Sequence, residues 1–208
     1  MHFLFEVSIR NEADVIKAVI FDCFGVLVES SYEPFKRKYF GGDAELIRKF
    51  IEVEDRSSRG EITLDEAEGA FAELAGISVE QCATELEMNP RNERLLAFIR
   101  DELKPVFKIG FLSNVARDRM QELFTQEDIA LFDDVVLSFQ VGLAKPDPKI
   151  FTLAAERLGV RPEECLFVDD LARYLVGAEQ VGMKTMRYRD NEQCIDALRE
   201  VLKIISHS

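Results

Sequence analysis

Five short apolar runs recur along the chain, and a stretch with helical spacing of apolar residues follows each of the last four. The runs cover residues 15–21, 106–112, 135–139, 166–168 and 183–188, and their continuous apolar character predicts buried parallel strands. The helical stretches cover residues 115–126, 148–158, 171–181 and 191–205. Strands that alternate with helices predict an α/β fold with right-handed crossovers.

Between the first and second predicted strands lies a long segment, residues 30–91, that contains no convincing strand. Asp43 can cap a helix with an apolar face, and Thr63 and Ser78 each open a capping-box pattern. We therefore predict an all-helical cap over residues 30–91, an α/β core of residues 15–29 plus 92–208, and an N-terminal extension over residues 1–14. Such a cap would lie over the carboxyl ends of the strands, where α/β sheets bind ligands.

The charge of the chain excludes some partners. Its 208 residues include 39 acidic and 26 basic side chains, which gives a net charge of −13. Such a surface repels nucleic-acid backbones and anionic membranes, so we expect no nucleic-acid and no membrane partner. The two histidines stand near the two ends of the sequence, which argues against a histidine base or a histidine-bound metal.

The four cysteines show no CxxC spacing, and we expect them to be reduced and buried, as in cytosolic proteins. No apolar run approaches the ~20 residues of a membrane span. The first residues also lack the basic region of a signal peptide. We expect a cytoplasmic protein that is a monomer or a homodimer.

Acidic residues stand at the carboxyl ends of two predicted strands. Asp22 ends the first strand and is followed by Gly25, so its carboxylate is either a nucleophile or metal ligand, or a solvated turn residue. Asp169 and Asp170 end the fourth strand, and adjacent carboxylates repel each other unless a cation is near. Together with Asp22 they form an oxygen-rich set suited to Mg²⁺, the alternative being a plain acidic turn.

Two further segments follow predicted strands. Ser113 and Asn114 lie between a strand and a helix, where a hydroxyl and free N–H groups hold a phosphate oxygen or simply cap the helix. Lys145 precedes Pro146, and its charge would either neutralise a phosphoryl group or the carboxylates, or lie on the surface.

In this order and at these strand ends, the residues resemble the motifs of haloacid dehalogenase-like hydrolases, in the subfamily with a helical cap after the first strand. Asp22, in Asp-x-x-Gly-Val-Leu, matches that family's nucleophile, and Ser113 matches the serine that holds the transferred phosphoryl group. Lys145, in Gly-Leu-Ala-Lys-Pro-Asp-Pro, matches the third motif. Asp169 and Asp170 match the metal-binding acids. The resemblance covers roughly residues 15–205.

The resemblance implies a Rossmann-like, mostly parallel sheet flanked by helices, with an inserted all-helical cap. It also implies a Mg²⁺-dependent phosphatase that acts on a small phosphorylated substrate through an aspartyl phosphate. Asp22, the backbone carbonyl of Phe24 and Asp170 would hold the metal, with Asp169 bound directly or through water. Asn114 would help to position the substrate.

The sequence departs from the family at one position. Family phosphatases carry a second aspartate two residues after the nucleophile, as general acid and then base, and this chain has Phe24 there. General acid–base help is worth ~10²–10⁴-fold, so its loss should slow hydrolysis of ordinary esters.

Three hypotheses follow from Phe24. The first is a phosphatase with an atypical substrate, such as an acyl phosphate whose leaving group needs no proton. The second is a 2-haloacid dehalogenase, against which the paired acids Asp169 and Asp170 argue. The third is a binding or regulatory protein with weakened turnover.

Overall fold

The structure, a computed structural model, describes residues 15–204. Five parallel strands form one sheet: β1 (Ala18–Phe21), β2 (Lys108–Ser113), β3 (Asp134–Leu137), β4 (Cys165–Asp169) and β5 (Lys184–Arg187). Their order is β3-β2-β1-β4-β5, which places β1 between β2 and β4. The prediction of an α/β fold with a parallel sheet is confirmed. The extension expected over residues 1–14 lies outside the described residues.

Alternate side chains of the strands enter two separate apolar layers. In β1, Val19 and Phe21 belong to one cluster, and Ala18 and Ile20 belong to the other. All four side chains are buried, as in a parallel strand with helices on both faces. The sheet is therefore the middle layer of a three-layer core.

The helices of the core pack on both faces of the sheet. They are α5 (Glu93–Phe98), α6 (Met120–Leu123), α7 (Gln126–Ile129), α8 (Ser138–Val141), α9 (Pro148–Arg157), α10 (Ala172–Gln180) and α11 (Asn191–Leu202). Helices α5 and α11 lie on one face, and α9 and α10 lie on the other. A π-helical turn (Ile99–Leu103) continues α5. The sequence analysis did not predict α5 or this turn, although the apolar spacing of Leu95, Ile99 and Leu103 is helical.

The helix predicted over residues 115–126 is wrong. Residues 115–119 are not helical, and two short helices, α6 and α7, follow instead. Val115 is instead held by a distant residue, since its N–H donates to Ser138 Oγ at 2.9 Å. Phe139, expected to end a strand, lies in α8, and β3 ends at Leu137.

Residues 30–91 are largely helical, as predicted. The helices of this stretch are α1 (Tyr32–Phe40), α2 (Ala44–Ser58), α3 (Leu64–Ala75) and α4 (Val79–Leu86). Asp43 caps α2, and Thr63 forms a reciprocal capping box with Glu66. Ser78 accepts from Gln81 N, which is one half of the box predicted there.

These four helices bury an aromatic cluster of their own. Phe50 and Phe71 stack with ring centroids 4.1 Å apart, and Phe35 and Phe40 pack against Phe50. We refer to residues 32–86 as the helical insertion. The boundaries proposed for a cap domain, at residues 30 and 91, stay a prediction.

All four cysteines are buried and free, as expected. Within residues 15–204, no helix is long and apolar enough to cross a membrane.

Candidate active site

The strand order brings the predicted site residues to one edge of the sheet. Asp22 directly follows β1, and its N–H donates to Val168 O of β4 at 3.0 Å. Asp169 ends β4 and Ser113 ends β2, on the two sides of β1. The sheet reverses its strand order here, and such a point is where α/β folds bind ligands.

Lys145 joins two of the acids although it comes from a loop. Its Nζ lies 2.6 Å from Asp22 Oδ1 and 2.7 Å from Asp169 Oδ2, and the side chain is completely buried. The ring of Tyr174 covers the ammonium, with its centroid 4.7 Å from Lys145 Nζ. Of the two alternatives for Lys145, the surface position is therefore excluded, and its charge lies against the carboxylates.

The loop that carries Lys145 is fixed by contacts with its backbone. Asn114 accepts from Lys145 N at 2.8 Å and donates to Lys145 O at 2.9 Å. Gly177 on α10 allows a second close approach, because a Cβ there would lie 2.2 Å from Pro146 O. Asn114 thus positions the lysine, while a direct contact of Asn114 with substrate stays a prediction.

Three carboxylates form a compact acidic group. Oxygen atoms of Asp22, Asp169 and Asp170 lie within 4.8 Å of one another. Asp169 Oδ1 accepts from Leu171 N at 2.8 Å, whereas the buried Asp170 Oδ1 has no hydrogen-bond partner. An unpaired buried carboxylate oxygen is costly, and a hard cation would satisfy it. These residues therefore fit Mg²⁺.

Gly25 makes room for Asp170. Its φ is +91°, in the region that favours glycine, and a Cβ at this position would lie 2.6 Å from Asp170 Oδ2. The turn after β1 is thus shaped around the carboxylate that ends β4.

Burial controls the ionisation of the acidic group. It raises the pKa of Asp22 to about 8, against the opposing charge of Lys145 and with further help from Asp169. Burial and Asp169 raise the pKa of Asp170 to about 6. Burial disfavours the charge of Lys145, but the carboxylates of Asp169 and Asp22 outweigh it and raise the lysine pKa. Without a cation, the site thus holds more negative charge than Lys145 neutralises.

Ser113 is buried, and its Oγ has no hydrogen-bond partner. The Cys23 thiol is close to this oxygen, and burial raises the pKa of that thiol. Ser113 Oγ thus ends β2 as a buried hydroxyl with no hydrogen bond to a backbone group.

A cavity of about 290 Å³ lies between the sheet edge and the helical insertion. Asp22, Phe24, Asn114, Lys145 and Asp170 are among the core residues that line it. The insertion contacts the core at the cavity wall, since Ser138 Oγ donates to Ser58 O at 2.7 Å.

Among the residues of the cavity wall that were not predicted from the sequence are Glu54 on α2, and Arg173 and Tyr174 on α10. Arg173 Nη2 lies 3.7 Å from Glu54 Oε2 and donates to Tyr174 Oη at 3.0 Å. The position of Arg173 and Tyr174 just after Asp170 was a usable signal. No sequence signal marked Glu54, because α2 is rich in charged residues and only the packing of α2 shows which of them faces the core.

Comparison with known proteins agrees with this geometry. The family model of haloacid dehalogenase-like hydrolases matches residues 16–182. The chain belongs to this hydrolase family. A phosphatase from Mycobacterium tuberculosis is 32% identical to this chain over 197 residues, with 81% of this chain and 85% of that protein covered.

Other relatives share only part of their length with this family member. A glyceraldehyde 3-phosphate phosphatase from Methanopyrus kandleri is 42% identical over 85 residues, which is 40% of this chain and 36% of that protein. The chain thus spans about a third of that relative, and only 20% of a mouse relative.

Solved structures of the family share the fold. An enzyme from Bacteroides thetaiotaomicron, solved with magnesium and inorganic phosphate, has a TM-score of 0.64 at 24% identity, with 84% of this chain and 94% of that chain covered. An L-2-haloacid dehalogenase from Xanthobacter autotrophicus also has a TM-score of 0.64, at 25% identity, with 89% and 83% covered.

Proposed function

We propose that this hydrolase is a Mg²⁺-dependent phosphatase that acts on a small phosphorylated metabolite through an aspartyl phosphate at Asp22. The observation that carries the proposal is the acidic group, in which a buried oxygen of Asp170 lacks a partner beside Asp22 and Asp169. A dehalogenase expels a halide and has no phosphate charge to neutralise. The phosphatase relatives and the magnesium-bound structure of the family agree with this choice.

Asp22, Asp170 and the backbone carbonyl of Phe24 would hold the metal, with Asp169 bound directly or through water. When bound, Mg²⁺ supplies the positive charge that a phosphoryl dianion needs in an acidic site. Asp169 also keeps Lys145 in place through the contact at 2.7 Å.

In the proposed reaction, an oxygen of Asp22 attacks phosphorus in line with the leaving oxygen, and the bond from phosphorus to the leaving group breaks. Ser113 Oγ–H and the Lys145 ammonium donate to the equatorial oxygens as charge moves onto them. Water then attacks phosphorus, the bond from phosphorus to Asp22 breaks, and orthophosphate leaves. The helical insertion acts as a cap that excludes bulk water from the cavity.

The test measures phosphate release from a panel of phosphorylated metabolites with Mg²⁺ and with EDTA, beside halide release from 2-haloacids. We expect Mg²⁺-dependent phosphate release, which Asp22→Asn abolishes. Asp43→Asn is the control, since asparagine also caps α2. Metal-independent halide release, or full turnover in Asp22→Asn, would refute the proposal.

Two alternatives have their own signatures in the same panel. Halide release without metal would identify a dehalogenase, for which an aromatic residue at position 24 is no obstacle. If the wild type releases neither phosphate nor halide and Phe24→Asp restores phosphate release, the chain is a binding or regulatory protein with weakened turnover.

A further inference from the structure

Phe24 leaves the proposed phosphatase without a proton donor at the usual place, so the walls of the cavity decide whether another group can replace it. An alkoxide or phenoxide leaves phosphorus readily only if it is protonated as the bond breaks. Besides the acidic group, the carboxylates that line the cavity are Glu33, Glu54, Glu68 and Glu87, all from the helical insertion or the residue after it.

Three of these carboxylates are poorly suited to the task. Glu87 is exposed, and Glu33 is exposed and pairs with Lys36. Glu68 is less buried than Glu54. Glu54 differs, since its side chain is only 17% exposed.

A chain of contacts connects Glu54 to the nucleophile. Glu54 Oε2 lies 3.7 Å from Arg173 Nη2, and the same Nη2 donates to Tyr174 Oη. The Tyr174 ring covers Lys145 Nζ, which is 2.6 Å from Asp22 Oδ1. Glu54 is thus held at the wall of the cavity that Asp22 also lines, on the side of the helical insertion.

We infer that Glu54 is the general acid and base of this hydrolase and replaces the aspartate that Phe24 displaces. The inference rests on the proposed phosphatase function and extends it.

The electrostatics of the cavity suit this role. Burial raises the pKa of Glu54 to about 7, so that both protonation states are populated near neutral pH. The charges of Arg173 and Lys36 oppose this shift, and those of Asp55 and Glu33 add to it. The phenols that face Glu54 belong to Tyr32 and Tyr174. Burial also raises their pKa values, so these phenols carry no charge near neutral pH.

The proton balance closes over the two steps. In the first step the Glu54 carboxyl gives its proton to the leaving oxygen as the bond from phosphorus to that oxygen breaks. In the second step the Glu54 carboxylate takes a proton from the attacking water as the bond from phosphorus to Asp22 breaks. The Asp22 carboxylate and the Glu54 carboxyl are both restored, and the net reaction is ester plus water to alcohol plus orthophosphate.

The test compares two esters of similar size, phenyl phosphate and p-nitrophenyl phosphate, in single turnovers with enzyme in excess and Mg²⁺ present. Nitrophenolate leaves without a proton, whereas phenolate needs one. We expect Glu54→Gln to slow phenol release by about 100-fold or more and nitrophenol release by less than about threefold. The rate of phenol release by the wild type should fall as pH rises and Glu54 ionises, and this fall should be absent in Glu54→Gln.

Two variants and one comparison make the result decisive. Glu52→Gln, two residues back along α2, exposed and outside the cavity lining, should leave both rates unchanged. Glu54→Asp keeps a carboxyl group and should recover part of the phenol release. If Glu54→Gln slows both esters equally, or if the wild type releases only nitrophenol, Glu54 is not the acid.

Failure of the proposed function has a different signature, which is unchanged release from both esters in Asp22→Asn. Thermal unfolding of Glu54→Gln shows whether the variant is folded. If it is not, Glu54→Asp carries the test, and equal losses of phenol and nitrophenol release in that variant would overturn the inference.

Discussion

Lys145 Nζ lies 2.6 Å from Asp22 Oδ1, although 123 positions separate the two residues in the chain. The same ammonium holds Asp169, and both contacts are buried. One cation therefore keeps two like charges together at the end of the central strand.

Lys145→Gln should destabilise the protein in EDTA by about 3–5 kcal/mol at pH 8, because it leaves Asp22 and Asp169 as unpaired buried charges. Burial raises the pKa of Asp22, and the variant lacks the Lys145 charge that opposes this rise, so its stability should rise as pH falls. Urea unfolding at pH 8 and pH 5.5 measures the loss. The exposed Lys149→Gln is the control, and an equal loss for Lys145→Gln at both pH values would contradict the prediction.

Ser113→Ala should separate stability from activity. Because Ser113 Oγ has no hydrogen-bond partner, we expect its removal to change the free energy of unfolding by less than about 0.5 kcal/mol. Phosphate release should fall by about 100-fold, since a donor to the phosphoryl oxygens is lost. A stable variant with full turnover would show that the hydroxyl does not touch the substrate.

Gly25→Ala should weaken Mg²⁺ binding by roughly tenfold or more, because the new Cβ would displace Asp170 from 2.6 Å away. Gly41→Ala is the matched control: its φ of +54° is also positive, but a Cβ there meets nothing within 4 Å. Calorimetric titration with Mg²⁺ measures both variants. Equal affinities would mean that Asp170 does not hold the metal.

Gly177→Ala should cost about 1–3 kcal/mol of stability and lower turnover, because the methyl group would push Pro146 and the loop of Lys145 away from α10. Gly69→Ala, in α3 with open space around it, should instead stabilise by roughly 0.5–1 kcal/mol. Urea unfolding and phosphate release are measured on both variants. If Gly177→Ala stabilises the protein as Gly69→Ala does, the close approach of Gly177 to Pro146 does not constrain the loop.

Glu164→Gln should lower stability at neutral pH but not in acid. The Lys17 ammonium, 2.7 Å from Glu164 Oε1, and the Arg161 N–H lower the pKa of Glu164 to about 2. A lowered carboxyl pKa stabilises the fold above the unfolded value of ~4.3, and this stabilisation disappears as pH falls towards 2. Unfolding free energies from pH 7 to pH 3 should therefore converge. The exposed Glu163→Gln should show no such convergence.

The sequence predicted the site residues because the fold puts them at a position that the sequence marks. A polar residue that ends a buried apolar run must lie at a sheet edge, and parallel strands present all their carboxyl ends on the same side. Asp22, Ser113 and Asp169 were found in this way. Helix caps were equally readable, because Asp43 and Thr63 bond to N–H groups two or three residues away.

Contacts between distant segments could not be predicted from the sequence. The apolar spacing of residues 115–126 suits a helix, but residues 115–119 are not helical, and Val115 N donates to the distant Ser138 Oγ. The pairing of Glu54 with Arg173 depends on how the helical insertion packs on the core, which no local pattern encodes.

By itself, then, the sequence determined the approximate positions of the strands, the starts of the capped helices and the residues at the strand ends, because these follow from side-chain periodicity and local hydrogen bonds. Only the tertiary structure decided that Lys145 is buried between two aspartates and that Glu54 lines the same cavity as Phe24. The physical reason is that burial and charge pairing join residues far apart in the chain, and their energy exists only once the layers have packed.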